Sequence, residues 1–319
     1  MSQEPPFHVG FVASPHPHVA MHLRTLEALP EVESVSLCAI ADGDARALSE
    51  GHTKVRAGTR TVAELLGDGA LDAVIVCVRN DLCLAILEAA VGAGKPVIFE
   101  KPGALRAEGL GRVATAAQAR GLTCGTFLQW RGHPVIQEVR QAVESGALGR
   151  VMAAEARMVT SQVRYRDPGH WLFRRDTAGS GILSWLACHY LDALSFLLAD
   201  RVTEVVAMVG QQNPEPIEVE DTAGLVLRFA GGALGTLHAG YLLRGSTSGY
   251  SGAAYDTFLG LRGTLGYARL PLSDGMAYTL VSEAPGWRSG GRRERRFELP
   301  PSPSYGGVAG EDFLLQFLR

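Results

Sequence analysis

Across residues 1–128, short unbroken apolar runs alternate with stretches whose apolar positions recur every three or four residues. Runs at 9–13, 35–41, 73–78, 96–99 and 122–128 predict strands. The intervening patterns at 19–29, 45–50, 61–66, 82–93 and 106–120 predict helices, the fourth closing on Gly92 and Gly94. The strands are apolar on both faces, as in a parallel sheet covered by helices on each side. Strand and helix in strict alternation predict an α/β fold with a doubly wound, Rossmann-type sheet.

The rhythm changes after that point. A helix at 135–144 stops at Gly146, a polar loop occupies 164–169, and a strongly apolar helix runs from 182 to 198. Strand patterns then follow one another at 202–209, 223–229, 233–241, 257–261 and 277–281, and Gly231-Gly232 is a hairpin signal. Consecutive strands with few helices predict an α+β domain with a mostly antiparallel sheet. Two domains, 1–128 and 129–319, are expected.

Composition narrows the class. Of 319 residues, 46% are hydrophobic and 20% charged, which excludes disordered and fibrous classes. A formal net charge of −3 gives no footprint for nucleic acid. No uninterrupted apolar run approaches the ~20 residues of a membrane span, so no membrane partner is expected. The segment Met1 to Pro6 is polar, and the run at 7–13 is too short for a signal peptide. The five cysteines lack a CxxC pair and sit mostly in apolar runs, as free thiols in a reducing compartment do; a cytoplasmic location is expected.

The first predicted sheet binds ligands at the carboxyl ends of its strands. Asp42, after the second strand, either hydrogen-bonds an adenosine ribose or caps the helix beginning near Asp44. In the first role its charge disfavours a 2′-phosphate, so NAD is preferred; Arg46, one turn on, softens the preference and admits NADP. The first turn, Gly10 to His18, carries Ala13, Pro15 and His18 where a GxGxxG fingerprint has glycines. Pro15 and Pro17 have no N–H to offer a phosphate. What remains is the Ser14 hydroxyl, the N–H groups of Ser14, His16 and His18, and a helix N-terminus. His16, His18 and His22 also raise a metal reading, but no carboxylate or thiolate near them in the sequence completes a ligand set, and no metal is expected.

Two motifs carry most of the chemistry. One is a strand ending in Glu100-Lys101-Pro102; the other is a Gly179-Ser180-Gly181 turn opening the apolar helix that bears His189 and Asp192. Together with the run 72–78 leading to Asn80, Arg131 within 128–134, and Glu220-Asp221-Thr222 before a strand, they resemble the Gfo/Idh/MocA oxidoreductases. The resemblance implies a Rossmann domain followed by a domain with a large open sheet, used for a homodimer or homotetramer. It implies an NAD(P)-dependent enzyme acting on a sugar, cyclitol or related polyol, with Lys101 touching substrate hydroxyl and cofactor and His189 in proton transfer. It also implies a cis peptide before Pro102. The cofactor set is then Gly10, Ala13, Ser14, His16, His18, Asp42, Arg46, Val78, Asn80, Glu100 and Lys101. The substrate set is Lys101, Arg131, Tyr165, Trp171, Arg174, Trp185 and His189.

The residues themselves support a proton-handling Lys101, since burial and a cationic nicotinamide would lower its pKa. The chain's only lysines are Lys54, Lys95 and Lys101, among many arginines. Lys101 as an exposed loop lysine and His189 as a core histidine remain the plainer alternatives. Asp192, three residues on, either orients His189 or pairs with an arginine.

The chain departs from the family at several points. Trp185 stands where relatives usually carry an Asp, leaving Lys101 and His189, or Tyr165, Tyr190 or Arg174, to move protons. Trp185 is left to stack on a sugar or fill space. The Arg- and aromatic-rich loop 164–171 suits a sugar bearing a carboxylate or phosphate, or is ordinary surface. Relatives continue past the segment matching 311–319, so an abbreviated or truncated member is expected. A non-catalytic, ligand-sensing or scaffold protein of the same fold is the alternative function.

Overall fold

Six strands, β1 (Phe7–Ala13), β2 (Val32–Ala39), β3 (Val55–Ala57), β4 (Ala73–Cys77), β5 (Val97–Phe99) and β6 (Cys124–Thr126), form a parallel sheet in the computed structural model, ordered β3-β2-β1-β4-β5-β6. The structure describes residues 6–58, 61–245, 254–274, 276–287 and 291–319. Most of the polar N-terminal segment, residues 1–5, lies outside the described residues. The strand order reverses between β1 and β4, which places a ligand crevice at the ends of those two strands. Every residue of β4 is buried, and so are the last five of β1, as their unbroken apolar runs require.

Helices α1 (Val19–Ala28), α2 (Ala45–Ser49), α3 (Val62–Leu66), α4 (Asn80–Gly92) and α5 (Ala107–Ala119) connect the strands. Thr61 starts α3 with a capping box, its hydroxyl accepting from the Glu64 N–H while the Glu64 carboxylate accepts from the Thr61 N–H. Contacts divide the chain into two units, the first comprising Met1–Gln129, Asp176–Gly179 and Leu299–Arg319. Its last segment folds into a helix, Gly307–Leu318, whose Leu314 is fully buried in one core with Val9, Phe11, Leu23 and Leu26.

The second unit, Trp130–Arg175 with Ser180–Glu298, is built on eight strands. These are β7 (Val151–Ser161), β8 (Val202–Gly210), β9 (Thr222–Phe229), β10 (Leu234–Leu243), β11 (Tyr255–Gly263), β12 (Gly266–Pro271), β13 (Ala277–Ser282) and β14 (Gly291–Arg296). Their order is β14-β13-β12-β11-β7-β10-β9-β8, antiparallel except where β10 runs alongside β7. Gly231-Gly232 turns β9 into β10, with Phe229 N–H donating to Ala233 O at 2.9 Å and Gly232 at φ 89°. Helix α6 (Pro134–Glu144) and, after the short α7 (Arg175–Ala178), helix α8 (Cys188–Leu198) pack on the sheet through Val135, Ile136, Val139, Leu194 and Leu197. The helix Gly307–Leu318 completes the set as α9. The stretch Arg175–Leu198 is long and apolar enough on length and composition to cross a membrane, yet half of its most apolar window is buried inside the protein, as in a core helix.

Strands β3, β7, β12 and β14 were absent from the sequence expectation. The alanines, Glu155 and Arg157 of β7 favour helix, and only its pairing with β10 and β11 makes it a strand. The basic cluster Arg292 to Arg296 is the edge strand β14, and its charges suit an edge.

Candidate active-site residues

In the first unit the polar groups gather at the carboxyl ends of β1, β4 and β5. Glu100 and Lys101 follow β5 directly, and each is only 2% exposed. This corrects the alternative of an exposed loop lysine. The Lys101–Pro102 peptide is cis, and Gly103 follows at φ 81°. A Cβ on Gly103 would lie 2.1 Å from the Phe99 ring, so this tight passage after Lys101 requires glycine.

The turn after β1 crosses the end of β4. Ser14 donates its N–H to Cys77 O at 3.2 Å, and its hydroxyl oxygen accepts from Arg79 N–H at 2.8 Å. His16 Nδ1 accepts the His18 N–H at 3.1 Å and stands 3.3 Å from Cys77 Sγ. His18 begins α1 with no side-chain cap, and its Nδ1 lies 3.1 Å from Glu100 Oε1. His22, one turn on, places Nε2 2.7 Å from the same oxygen. The rings of His18 and His22 pack against Tyr305, with centroids 4.7 and 4.6 Å away. The sequence showed no carboxylate or thiolate near these histidines; the parallel sheet supplies both, Glu100 from β5 and Cys77 from β4. Tyr305 was not anticipated either, because only the fold brings the C-terminal segment to this loop.

Electrostatics follow from that burial. Burial holds His16 well below the ordinary imidazole value, outweighing the attraction of Glu100, and lowers His18 in the same way. Burial alone would raise the Glu100 carboxyl, but His18 and His22 together bring it well below the usual carboxylate range. The result is an anionic Glu100 carboxylate, with burial favouring the neutral form of His16 and His18.

The other expected cofactor positions divide sharply. Asp42 sits exposed after β2 at φ 66°, and the cap of α2 is Asp44, which accepts from the N–H groups of Arg46 and Ala47 at 3.0 and 3.1 Å. The capping alternative for Asp42 is therefore excluded. Arg46 is exposed on α2. Ala13 and Val78 are buried at the ends of their strands. Gly10 lies inside β1 with Leu71, Val74 and Leu65 packed over it, a packing position and not a loop position. Asn80 opens α4 and spends its amide on Ala178 O at 2.9 Å.

In the second unit, His189 is buried in the first turn of α8 and stacks on Trp130, with centroids 5.8 Å apart and planes 27° from parallel. Trp130 also meets Tyr190 edge-on at 4.7 Å. Tyr190 is raised by burial and so is a poor proton donor near neutrality. Trp185 is buried within a π-helical stretch, Leu183–Ala187, and meets Trp171 edge-on at 6.1 Å. Only 2% of the Trp185 surface is exposed.

The start of this helix has an anchor that the sequence pattern marked without explaining. Glu220 Oε1 accepts from the Ser180 hydroxyl at 2.7 Å and from the N–H groups of Gly181 and Leu183 at 2.8 and 3.2 Å. A carboxylate at a helix N-terminus satisfies orphan donors and complements the dipole. Gly181 passes so close that a Cβ there would lie 1.9 Å from Glu220 O. Fully buried Asp221 accepts from the N–H groups of Gln212 and Asn213 and from the Asn213 amide, fixing the turn before β9.

Asp192 pairs with Arg131 and not with His189: Arg131 Nε lies 2.9 Å from Asp192 Oδ2, and Nη2 contacts Oδ1. Arg174 bridges Glu218 at 2.7 Å. The Tyr165 hydroxyl oxygen accepts from Gly245 N–H at 2.9 Å and from Arg164 at 3.2 Å. The expected substrate arginines are thus held in ion pairs within the unit.

Residues 9–127 match the sequence profile of the oxidoreductase family with an NAD-binding Rossmann fold, and residues 136–269 that of the GFO/IDH/MocA C-terminal domain. The chain is 30% identical over 222 residues to 1,5-anhydro-D-fructose reductase of Ensifer adhaerens, covering 69% of this chain and 65% of that protein. It is 25% identical over 197 residues to levoglucosan dehydrogenase of Pseudarthrobacter phenanthrenivorans, covering 55% and 50%. The aligned regions thus span between half and two thirds of these relatives. A levoglucosan dehydrogenase solved with NADH and L-sorbose has the same fold, with a TM-score of 0.82 at 20% identity over 99% of this chain and 89% of that one. Matching profiles in both units, the strand order of the parallel sheet and the Glu100-Lys101-cis-Pro102 turn lead to one conclusion: the chain belongs to the Gfo/Idh/MocA oxidoreductase family.

Proposed function

We propose that this chain is an NAD-preferring oxidoreductase that transfers a hydride between the nicotinamide and a carbinol carbon of a sugar, cyclitol or related polyol. The observation that carries the reading is the placement of Lys101, buried next to the sheet's switch point on a cis-proline turn. Relatives named for anhydrosugar and inositol substrates support the substrate class.

The residues fit the dinucleotide best at its ends. Asp42, exposed at the carboxyl end of β2, suits an adenosine ribose and repels a 2′-phosphate. The phosphate turn offers less than a glycine loop, because the Ser14 and His18 N–H groups are already bonded and Pro15 and Pro17 have none. The Ser14 O–H, whose oxygen accepts from Arg79, still has its own proton to donate. NAD, when bound, supplies the hydride acceptor. Lys101 would polarise the substrate hydroxyl and take its proton as the carbinol is oxidised to a ketone. His189 is the second proton-transfer group, held by Trp130 within its own unit. In the reverse direction Lys101 returns the proton.

The same reading includes a cytoplasmic location, supported by five free thiols. It also includes a homodimer or homotetramer through the sheet of the second unit. There Val206, Met208 and Val226 are 71%, 83% and 50% exposed within the chain. Apolar exposure of this kind marks an interaction surface.

The test is calorimetric titration with NAD, NADH, NADP and NADPH, followed by a polyol screen. NAD binding weakened about tenfold or more by Asp42→Ala, with turnover lost in Lys101→Ala, is expected. No binding of any dinucleotide would overturn the reading and favour a ligand-sensing protein of this fold.

A further inference from the structure

Beyond the dehydrogenase reading, the turn between β1 and α1 carries a second set of groups with its own chemistry. One ligand atom from each of His16, His18 and Glu100 lies within 4.8 Å of the others. His18 Nδ1 and Glu100 Oε1 are 3.1 Å apart, close to the ~3.3 Å edge of a tetrahedron with ligands about 2.0 Å from its centre. All three side chains are more than nine-tenths buried. Glu100 Oε2 is also buried and has no hydrogen-bond partner among the described residues, an arrangement that costs free energy unless something positive meets it.

We infer that His16, His18 and Glu100 form a binding site for a divalent first-row transition metal of the Zn²⁺ class. Two imidazoles and a carboxylate are the donor types that such ions take, whereas Mg²⁺ and Ca²⁺ prefer oxygen alone. Three protein ligands leave a fourth position for water or another oxygen donor. The surroundings supply outer partners of the usual kind. His22 Nε2 sits 2.7 Å from the ligating carboxylate, and Cys77 Sγ lies 3.3 Å from His16 Nδ1. If His16 ligates through Nε2, its proton moves to Nδ1, where Cys77 Sγ can accept it and the His18 N–H is released. If His18 ligates through Nδ1, its proton moves to Nε2. Each shift conserves the proton count of its ring.

Lys101 is the opposing influence, since its charge disfavours a cation beside it. Glu100 supplies the balancing negative charge within the cluster.

The test uses the full chain without a histidine tag, stripped with chelator and titrated with Co²⁺ and then Zn²⁺ against a competing indicator. One equivalent of Co²⁺ with the intense visible bands of a low-coordinate site, displaced by Zn²⁺, is expected. His18→Asn and Glu100→Gln should each weaken binding at least about tenfold, more than loss of an outer partner in Cys77→Ser. If either variant fails to fold, paramagnetic shifts in the Co²⁺-loaded wild type decide. They should centre on His16, His18, His22 and Tyr305. Absence of binding by the wild type, unchanged affinity in folded variants, or shifts centred elsewhere would each overturn the site. None of these readouts depends on NAD, so failure here leaves the dinucleotide titration standing, and the converse holds.

Discussion

In the first unit the candidate groups hold one another: Glu100 is gripped by His18 and His22, and His16 leans on the His18 N–H and Cys77. In the second unit the one candidate proton carrier, His189, rests against the face of Trp130, while the charges around it are spent on structure. Glu220 pins the start of its helix and Asp192 neutralises Arg131. Buried polar networks fix geometry but leave little slack. An aromatic face positions a ring through dispersion and tolerates change in the ring's charge. The first unit thus fixes its candidate groups through polar contacts, and the second through packing.

The largest effect should come from replacing the two candidate proton carriers. Lys101→Ala should lower turnover roughly a hundredfold to ten-thousandfold, the usual worth of a positioned acid–base group. His189→Ala should lose less turnover, because an aromatic face and not a polar network sets its ring, although it also gives up packing against Trp130. Equal losses, measured as kcat in the same polyol assay, would erase the contrast between the units.

Next comes Gly181→Ala. Its methyl would lie 1.9 Å from a backbone oxygen, which no rotamer change relieves. A destabilisation of about 2–3 kcal/mol is expected, as for overpacking a filled site. Gly111→Ala in α5 meets nothing within 4 Å and should stabilise by up to ~1 kcal/mol. Thermal unfolding of the two variants measures both, and a neutral Gly181→Ala would show that the Glu220 anchor yields.

Acid should separate the units in the metal-free protein. His16 and His133 each use Nδ1 to accept a backbone N–H at a helix start, His16 for α1 and His133 for α6. Burial lowers both below the ordinary value of 6.5, His16 by more. A folded-state value below the unfolded one gives stability that is complete above about pH 6.5 and lost as pH falls. Hydrogen exchange between pH 7 and 5 should therefore accelerate in the first turn of α1 more than in that of α6. The reverse order would place the more strained histidine in the second unit.

How much of this was legible depends on where each signal resides. The parallel sheet was readable because each strand is a local run and its helices are regular. Strand β7 was not, since its alanines and charges take strand form only between β10 and β11. Lys101 was found through a contiguous motif, and its burial agrees with that reading. The histidine cluster was half visible: His16, His18 and His22 are neighbours in sequence, but Glu100 and Cys77 arrive by strand order. Trp130 and Tyr305 had no local signal, because their partners are distant in the chain. Glu220 was marked as part of a motif, and only the fold shows that it caps the helix bearing His189.

The smallest expected effect concerns Asp192, and it bears directly on how His189 is held. Asp192 stands on the same helix as His189 at a spacing that lets two side chains meet. The structure gives its carboxylate to Arg131, whose guanidinium is further raised by that bond and is about half exposed. A partly exposed pair of this kind contributes about 1 kcal/mol or less. Asp192→Asn should therefore cost little stability and leave the pH profile of kcat unchanged, since His189 loses no partner. A profile displaced toward that of His189→Ala would mean that Asp192 leaves Arg131 during turnover to orient the imidazole. The second unit would then hold its proton carrier as the first does, through a carboxylate, and the contrast between them would reduce to the aromatic face of Trp130.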